Sequence, residues 1–289
     1  MDAKEKTKMK VASFYNNKGG VCKSSICLNL GMYFASLELK TLIVDLDPSS
    51  NSTHYFFKKR SGSQRDFKKT IKNLLDPDDK TDKLSSVIYK SERIENLYVA
   101  PSEFDLDKIE MKMIRQSPTE DFEYKYTLKN AIDSFDKEFD ICLLDLHPSR
   151  RSLLNYNALI ASDYVFIPCD KDVETIEGLG SCISVIKEMT EFNEKLKIGG
   201  IIYVKFNGGR VDFKRAFPEL VSALGDNKEC KLLESVIPFV SEQDELRWNR
   251  RAVFNRPSKK SEKLVEAYKD LGQEVLQIMG IEGVNKDEN

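Results

Sequence analysis

An α/β fold, with a mostly parallel, twisted sheet covered by helices on both faces, is predicted by three features of the sequence. Short apolar runs recur at strand length, longer segments with helical spacing separate most of them, and a glycine-rich turn joins the first run to the first helical segment. The runs lie at 11–15, 42–45, 97–100, 141–146, 164–167, 198–204 and 232–237. Several are apolar at consecutive positions, the pattern of strands buried on both faces. Helical spacing is clear over 24–37, 178–192 and 265–279.

The chain has 289 residues, 40% of them hydrophobic, enough to build a substantial core. No linker is visible, so residues 1–289 are expected to form a single domain with a frayed polar tail at 283–289. Two segments break the strand–helix rhythm. Residues 56–93 are polar and lysine-rich and read as a loop and short-helix excursion, and 207–215 are rich in glycine and basic side chains. The net charge of -2 excludes a polybasic molecule, so any nucleic-acid contact must come from a local patch. No apolar run is long enough to cross a bilayer, and residues 1–10 lack the apolar core of a secretion signal. A cytoplasmic protein is expected. The six cysteines, Cys22, Cys27, Cys142, Cys169, Cys182 and Cys230, are scattered with no CxxC pair, which argues against a zinc site or disulfide framework.

The most informative stretch is Lys18-Gly19-Gly20-Val21-Cys22-Lys23-Ser24-Ser25, between the first strand-like run and the first helical one. Glycines let the backbone curl so that its N–H groups point at phosphate oxygens, and the helix N-terminus adds partial positive charge. Lys23 can reach β- and γ-phosphates and the Ser24 hydroxyl can bind Mg²⁺. A plain Gly-Gly turn with a serine helix cap is the alternative. Strand, loop, Lys-Ser pair and helix all agree on the phosphate loop, so a P-loop NTPase is expected.

Carboxylates at strand ends should complete the site. Asp45 and Asp47 stand at i and i+2 at the end of the 42–45 run, so an extended chain points both to one side. Asp145 closes the buried 141–146 run, where a carboxylate can hold Mg²⁺ through water. His147, one of two histidines, follows it and reads as a structural residue beside a turn.

The loop resembles the deviant Walker A motif, KGGxxK[ST], of the ParA/MinD family of ATPases, with Cys22 where a glycine is usual. By that resemblance Lys18 is a signature lysine reaching across a sandwich dimer, and Lys23 is the Walker lysine. Asn16 and Asn17 match the polar pair that often precedes them. Asp45-Leu46-Asp47-Pro48 resembles the family's DxDPQ element, with Ser49 for glutamine. It implies that Asp47 positions water and contributes to the Mg²⁺ site, with Asp45 supporting it. Ala100-Pro101-Ser102, Asn157-Ala158-Leu159, Ile167-Pro168, Glu177-Gly178-Leu179 and Val236-Ile237-Pro238 resemble later family segments in the same order. Gly19, Gly20, Val21, Cys22, Ser25, Asn207 and Pro238 are further nucleotide contacts on this reading.

The resemblance is to the small, Soj-like partition proteins, since the motif lies too near the N-terminus for a preceding helix-turn-helix domain. It implies ATP and Mg²⁺ as cofactors, a homodimer formed on ATP binding, a ParB-like adaptor, and no membrane contact. The C-terminal helix carries mixed charge, which favours packing over membrane anchoring. Basic residues Arg210, Lys214, Arg215, Arg247, Arg250 and Arg251 are the candidates for nonspecific DNA binding, and would make the protein nucleoid-associated. The leading expectation is a plasmid or chromosome partition ATPase. The alternatives are a MinD-like or cargo-positioning ATPase acting on a protein complex, and a nucleotide-binding scaffold without hydrolysis.

Overall fold

The structure is a computed structural model that describes residues 8–57, 67–79, 81, 83–116, 123–135, 137–170, 173–206, 230–239, 254 and 262–281, with the side chains of 123, 173–177 and 206 excepted. The expected frayed tail lies outside these residues, as do all of 207–215.

In chain order the strands are β1 (Lys10–Phe14), β2 (Thr41–Asp45), β3 (Tyr89–Lys90), β4 (Leu97–Ala100), β5 (Ile141–Asp145), β6 (Tyr164–Cys169), β7 (Lys197–Phe206) and β8 (Leu232–Pro238). The helices are α1 (Lys23–Ser36), α2 (Asn51–Phe57), α3 (Ile71–Leu75), α4 (Leu106–Gln116), α5 (Thr127–Asp133), α6 (Leu153–Ala161), α7 (Val173–Thr190) and α8 (Glu262–Ile278). The sheet order is β3-β4-β2-β5-β1-β6-β7-β8. Every pairing is parallel except β3 with β4.

The consecutive apolar positions have a simple cause. Successive side chains on a strand point to opposite faces, and both faces are covered. Val11, Leu42, Val44, Cys142, Leu144, Val165 and Ile167 join one core, whereas Ala12, Phe14, Ile43, Ile141, Leu143 and Phe166 join the other. Residues of α4, α5, α6 and α7 fill the first core; α1, α2 and α8 fill the second.

Within 56–93, read from the sequence as a loop and short-helix excursion, the described residues include α3 and the two-residue β3, and they pack on both cores, with Ile71, Leu74 and Leu75 in the first and Phe56 and Phe57 in the second. Phe56 and Phe57 are buried at the end of α2, and Phe57, Phe67 and Tyr89 interlock edge-on, with Phe57–Phe67 centroids 4.8 Å apart and Phe67–Tyr89 centroids 4.9 Å apart. Aromatic packing thus ties Phe67 and Tyr89 to the second core and holds β3 as an antiparallel edge strand. Two residues are too few to show strand periodicity in sequence.

Helix α8 lays Leu264, Tyr268, Leu271, Val275 and Leu276 against the second core. Its Glu274 carboxylate accepts from the backbone N–H groups of Glu234 and Ser235 on β8, each at 2.9 Å, which covers donors of a strand at the end of the sheet order. Among the described residues no helix is long and apolar enough to cross a membrane.

The α1–α8 contact turns on Gly272. A Cβ there would stand 2.3 Å from Cδ1 and 2.6 Å from Cε1 of Tyr33, whose hydroxyl accepts from Gln273 Nε2 at 2.6 Å. Gly272→Ala should therefore force the helices apart and cost about 1–3 kcal/mol by overpacking. A lower urea midpoint at unchanged m-value checks this; an unchanged midpoint counts against the close packing described.

Candidate functional site

Strand β1 lies between β5 and β6, both parallel to it, and its C-terminal end feeds the glycine-rich turn. Strand order runs outward from β1 in both directions, so the turn opens into the crevice where α/β sheets bind ligands. Two residues of the turn have positive φ: Gly20 at 80° and Cys22 at 63°. Cys22 is the N-cap of α1 and its side chain makes no cap hydrogen bond. No N-cap side chain therefore takes the first-turn N–H groups of α1, the arrangement in which a helix N-terminus can receive an anion.

Asn16 and Asn17 lock the turn. Asn16 Nδ2 donates to the Pro168 carbonyl on β6 at 2.8 Å, and its Oδ1 accepts from the Lys18 N–H at 2.9 Å. Asn17 Oδ1 accepts from the Tyr15 hydroxyl at 2.6 Å, and its Nδ2 donates to Ser181 Oγ at 3.2 Å. Lys23, the first residue of α1, curls back so that its Nζ donates to the carbonyls of Asn16 and Lys18, both at 2.9 Å. Burial lowers the Lys23 pKa to about 8, against the nearby Asp145 and Asp47 carboxylates, which raise it. The ammonium is held by two weak carbonyl acceptors that an anionic ligand can replace.

The two aspartates hold different partners. Strand β2 ends at Asp45, Asp47 lies two residues beyond it, and both carboxylates stand near Asp145. Asp45 Oδ2 accepts from the N–H and Oγ1 of Thr53, both at 2.8 Å, and its Oδ1 accepts from the Asp47 N–H at 3.1 Å. Asp45 thus anchors α2 to the end of β2. Asp47 Oδ1 accepts from the Ser49 N–H at 2.8 Å, while Ser102 Oγ donates to the Asp47 carbonyl at 2.8 Å.

Asp145 sits opposite Asp45 in the β2–β5 register. Its Oδ2 accepts from Ser52 Oγ at 2.6 Å. The Ser24 hydroxyl is near enough to lower its pKa, yet Oδ1 is buried without completing a hydrogen bond. Burial raises the Asp145 pKa to about 6, with Asp47 adding to the rise and Lys23 opposing it. Burial and the adjacent Asp145 push Asp45 well above the usual carboxylate range. A buried unpaired carboxylate oxygen beside a serine hydroxyl is a hard donor set, which fits Mg²⁺. No three His, Cys, Asp or Glu side chains converge on a metal position among the described residues. Few protein ligands suit an ion that keeps most of its shell as water and phosphate oxygen.

His147 is tied to packing. Its Nε2 lies 2.8 Å from Ser152 Oγ, and Ser152 caps α6 by accepting from the Asn155 N–H. Glu110 on α4 accepts from the Leu153 N–H at 2.5 Å and completes this helix start. Gly19 faces Pro148, which a Cβ would approach to 3.8 Å. Pro238 is half-buried at the end of β8, opposite Phe206 of β7. Asn207, Arg210, Lys214, Arg215, Arg247, Arg250 and Arg251 lie outside the described residues.

Sequence reasoning did not single out Ser52 or Thr53. Both follow the Asp-Pro turn at the start of α2, but the Ser52–Asp145 bond spans 93 positions and has no local signal.

The Asp145 carboxyl yields a pH test. With its pKa raised, the folded chain holds a proton that the unfolded chain releases, so this group removes stability as pH climbs from about 4 to about 6. Asp145→Asn, which does not titrate and which relieves the neighbouring Asp45, should gain stability relative to wild type as pH rises across that window in metal-free buffer. Urea melts at both ends measure the difference; a constant gap between the two proteins would contradict the environment described.

A family profile described as an AAA domain matches residues 9–198. The chromosome-partitioning ATPase Soj of Treponema pallidum is 28% identical over 79% of this chain and 83% of its own. The sporulation initiation inhibitor protein Soj of Bacillus subtilis is 31% identical over 67% of this chain and 71% of its own. Among solved structures, a putative plasmid partition protein from Borrelia burgdorferi bound to AMPPNP superposes with a TM-score of 0.71 at 22% identity, covering 94% of this chain and 98% of that one.

Proposed function

The chain belongs to the ParA/Soj family of P-loop ATPases, and from that premise we propose that it is an ATP-dependent, dimerising ATPase that partitions plasmid or chromosomal DNA. The observation that carries the reading is the phosphate loop itself. Lys23 is buried on two loop carbonyls at the mouth of an uncapped helix, and a second lysine, Lys18, stands five residues before it.

ATP binding exchanges the carbonyl partners of Lys23 for β- and γ-phosphate oxygens, a stronger charge-assisted contact. The backbone N–H groups of 19–25 and the N-terminus of α1 hold the phosphates. Ser24 and Asp145, with Asp47 beside them, would hold Mg²⁺, and the ion would supply charge neutralisation for the phosphates. Lys18 is half-exposed, with its backbone fixed by Asn16, and can reach the γ-phosphate of a second copy. Asp47 orients the attacking water rather than deprotonating it, because phosphoryl transfer gains most from positioning and charge stabilisation. Hydrolysis removes the γ-phosphate that Lys18 bridges, and the dimer opens. A ParB-like adaptor stimulates that step, and the arginines of 210–215 and 247–251 hold DNA through its phosphates while the dimer is closed. The setting is the cytoplasm, on the nucleoid.

Lys23→Ala should lose ATP affinity in the monomer. Lys18→Ala should keep it but fail to dimerise with a nonhydrolysable ATP analogue. Equilibrium titration with labelled nucleotide and light scattering separate the two, and a Lys18→Ala protein that dimerises normally would remove the cross-dimer role.

DNA retention by the ATP-bound protein should fall steeply with salt, by roughly 10³-fold or more between 50 and 200 mM if six or more phosphates are contacted. Absence of any DNA shift at low salt with ATP would favour a protein cargo over DNA.

A further inference from the structure

The C-terminal end of β7 carries a lysine that the loop chemistry above does not use. Parallel pairing with β8 shifts register between Val204 and Phe206, and Lys205 between them has φ 58°. That left-handed conformation is unfavourable for a residue with a Cβ, and a bulge of this kind re-aims a side chain away from the sheet face. The re-aimed side chain reaches the phosphate loop. Lys205 Nζ stands 3.9 Å from the position a Cβ on Gly20 would take. It also pairs with Asp170 Oδ2 at 3.7 Å, and the Asp170 side chain, one residue beyond β6, is 5% exposed. The Lys205 side chain remains 38% exposed, so the ammonium is within reach of solvent and ligand.

We propose that Lys205 is a further nucleotide-contacting residue, a cation for the α- and β-phosphates that ADP and ATP share, held in readiness by Asp170. The proposal rests on the nucleotide-binding reading and adds the residue and the phosphates it serves. The placement follows from sheet order. Asp47 and Asp145 extend from β2 and β5 on one flank of β1, and Ser24 joins Asp145 there, so the Mg²⁺ and γ-phosphate end belongs to that flank. Lys205 comes from β7, on the opposite flank, and meets the loop at Gly20. A cation there neutralises the part of the polyphosphate farthest from Asp145. The pair with Asp170 is long and partly solvated, which makes it weak enough to yield to a phosphate. Asp170 carries a negative charge towards the same loop, so it both competes for Lys205 and repels the nucleotide.

The test uses the full chain with Mg²⁺ and fluorescent ADP and AMPPNP. Lys205→Met, which keeps the length of the stem, should weaken both nucleotides by a similar factor of about tenfold, the scale of one charge-assisted contact. Lys205→Arg should restore most of the loss. Asp170→Asn should tighten both nucleotides several-fold at low ionic strength, and it keeps the proposal testable if Lys205→Met does not fold. Unchanged affinities in Lys205→Met overturn the contact. A loss confined to AMPPNP overturns its placement on the shared phosphates. Weaker binding by Asp170→Asn overturns the holding role. Wild-type protein that binds neither nucleotide overturns the nucleotide-binding reading itself, and this proposal with it.

Discussion

The end of the sheet around β1 is organised by one buried ammonium. Lys23 sits inside the loop with Asn16 and Lys18 carbonyls as its acceptors and with Asp145 and Asp47 close enough to raise its pKa against burial. An isolated buried charge is costly, so the surroundings must supply dipoles and opposite charge. Each neighbouring feature serves that need. Asn16 keeps its carbonyl in place by bonding to Pro168 and to the Lys18 N–H. Two parallel strands, β2 and β5, bring Asp45 and Asp145 into register. Ser52 and Thr53, from one turn of α2, satisfy one carboxylate each.

That solution leaves two tensions unresolved within the protein. Asp145 Oδ1 is buried with no hydrogen bond, and Cys22 holds a backbone conformation that costs an L-residue roughly 1–2 kcal/mol. Both lie where phosphate and Mg²⁺ are proposed to bind. Strain of this kind persists only where the surroundings over-determine it, and here the fold on both sides of the loop does so. β1 is clamped between β5 and β6, and α1 is packed along its length against the second core. The position of Cys22 also explains why a glycine is usual there: the turn needs φ > 0 whatever the side chain.

Much of the fold was legible in the residues. The 42–45 and 97–100 runs appear as β2 and β4 with at most one residue of difference, because parallel strands buried on both faces leave a continuous apolar signal. The phosphate loop was legible for another reason: its function depends on local backbone shape, and Gly19, Gly20, Lys23 and Ser24 are all within one turn. The short β3 and the anchoring of 56–93 were not legible, since the Phe57–Phe67–Tyr89 cluster is assembled from three separate stretches.

The sequence by itself determined an α/β sheet, its main strands, the phosphate loop and the carboxylates at strand ends, because each is a pattern within a few consecutive residues. Only the tertiary structure decided how those carboxylates divide their work. Asp45 is spent on Thr53, Asp145 keeps one free oxygen beside Ser24, and Lys205 is carried from β7 to Gly20. Those outcomes depend on which strands lie side by side, on where α2 begins and on where β7 bulges. Strand adjacency is set by crossover connections and packing over the whole sheet, and hydrogen bonds such as that of Ser52 with Asp145 form only after distant segments meet.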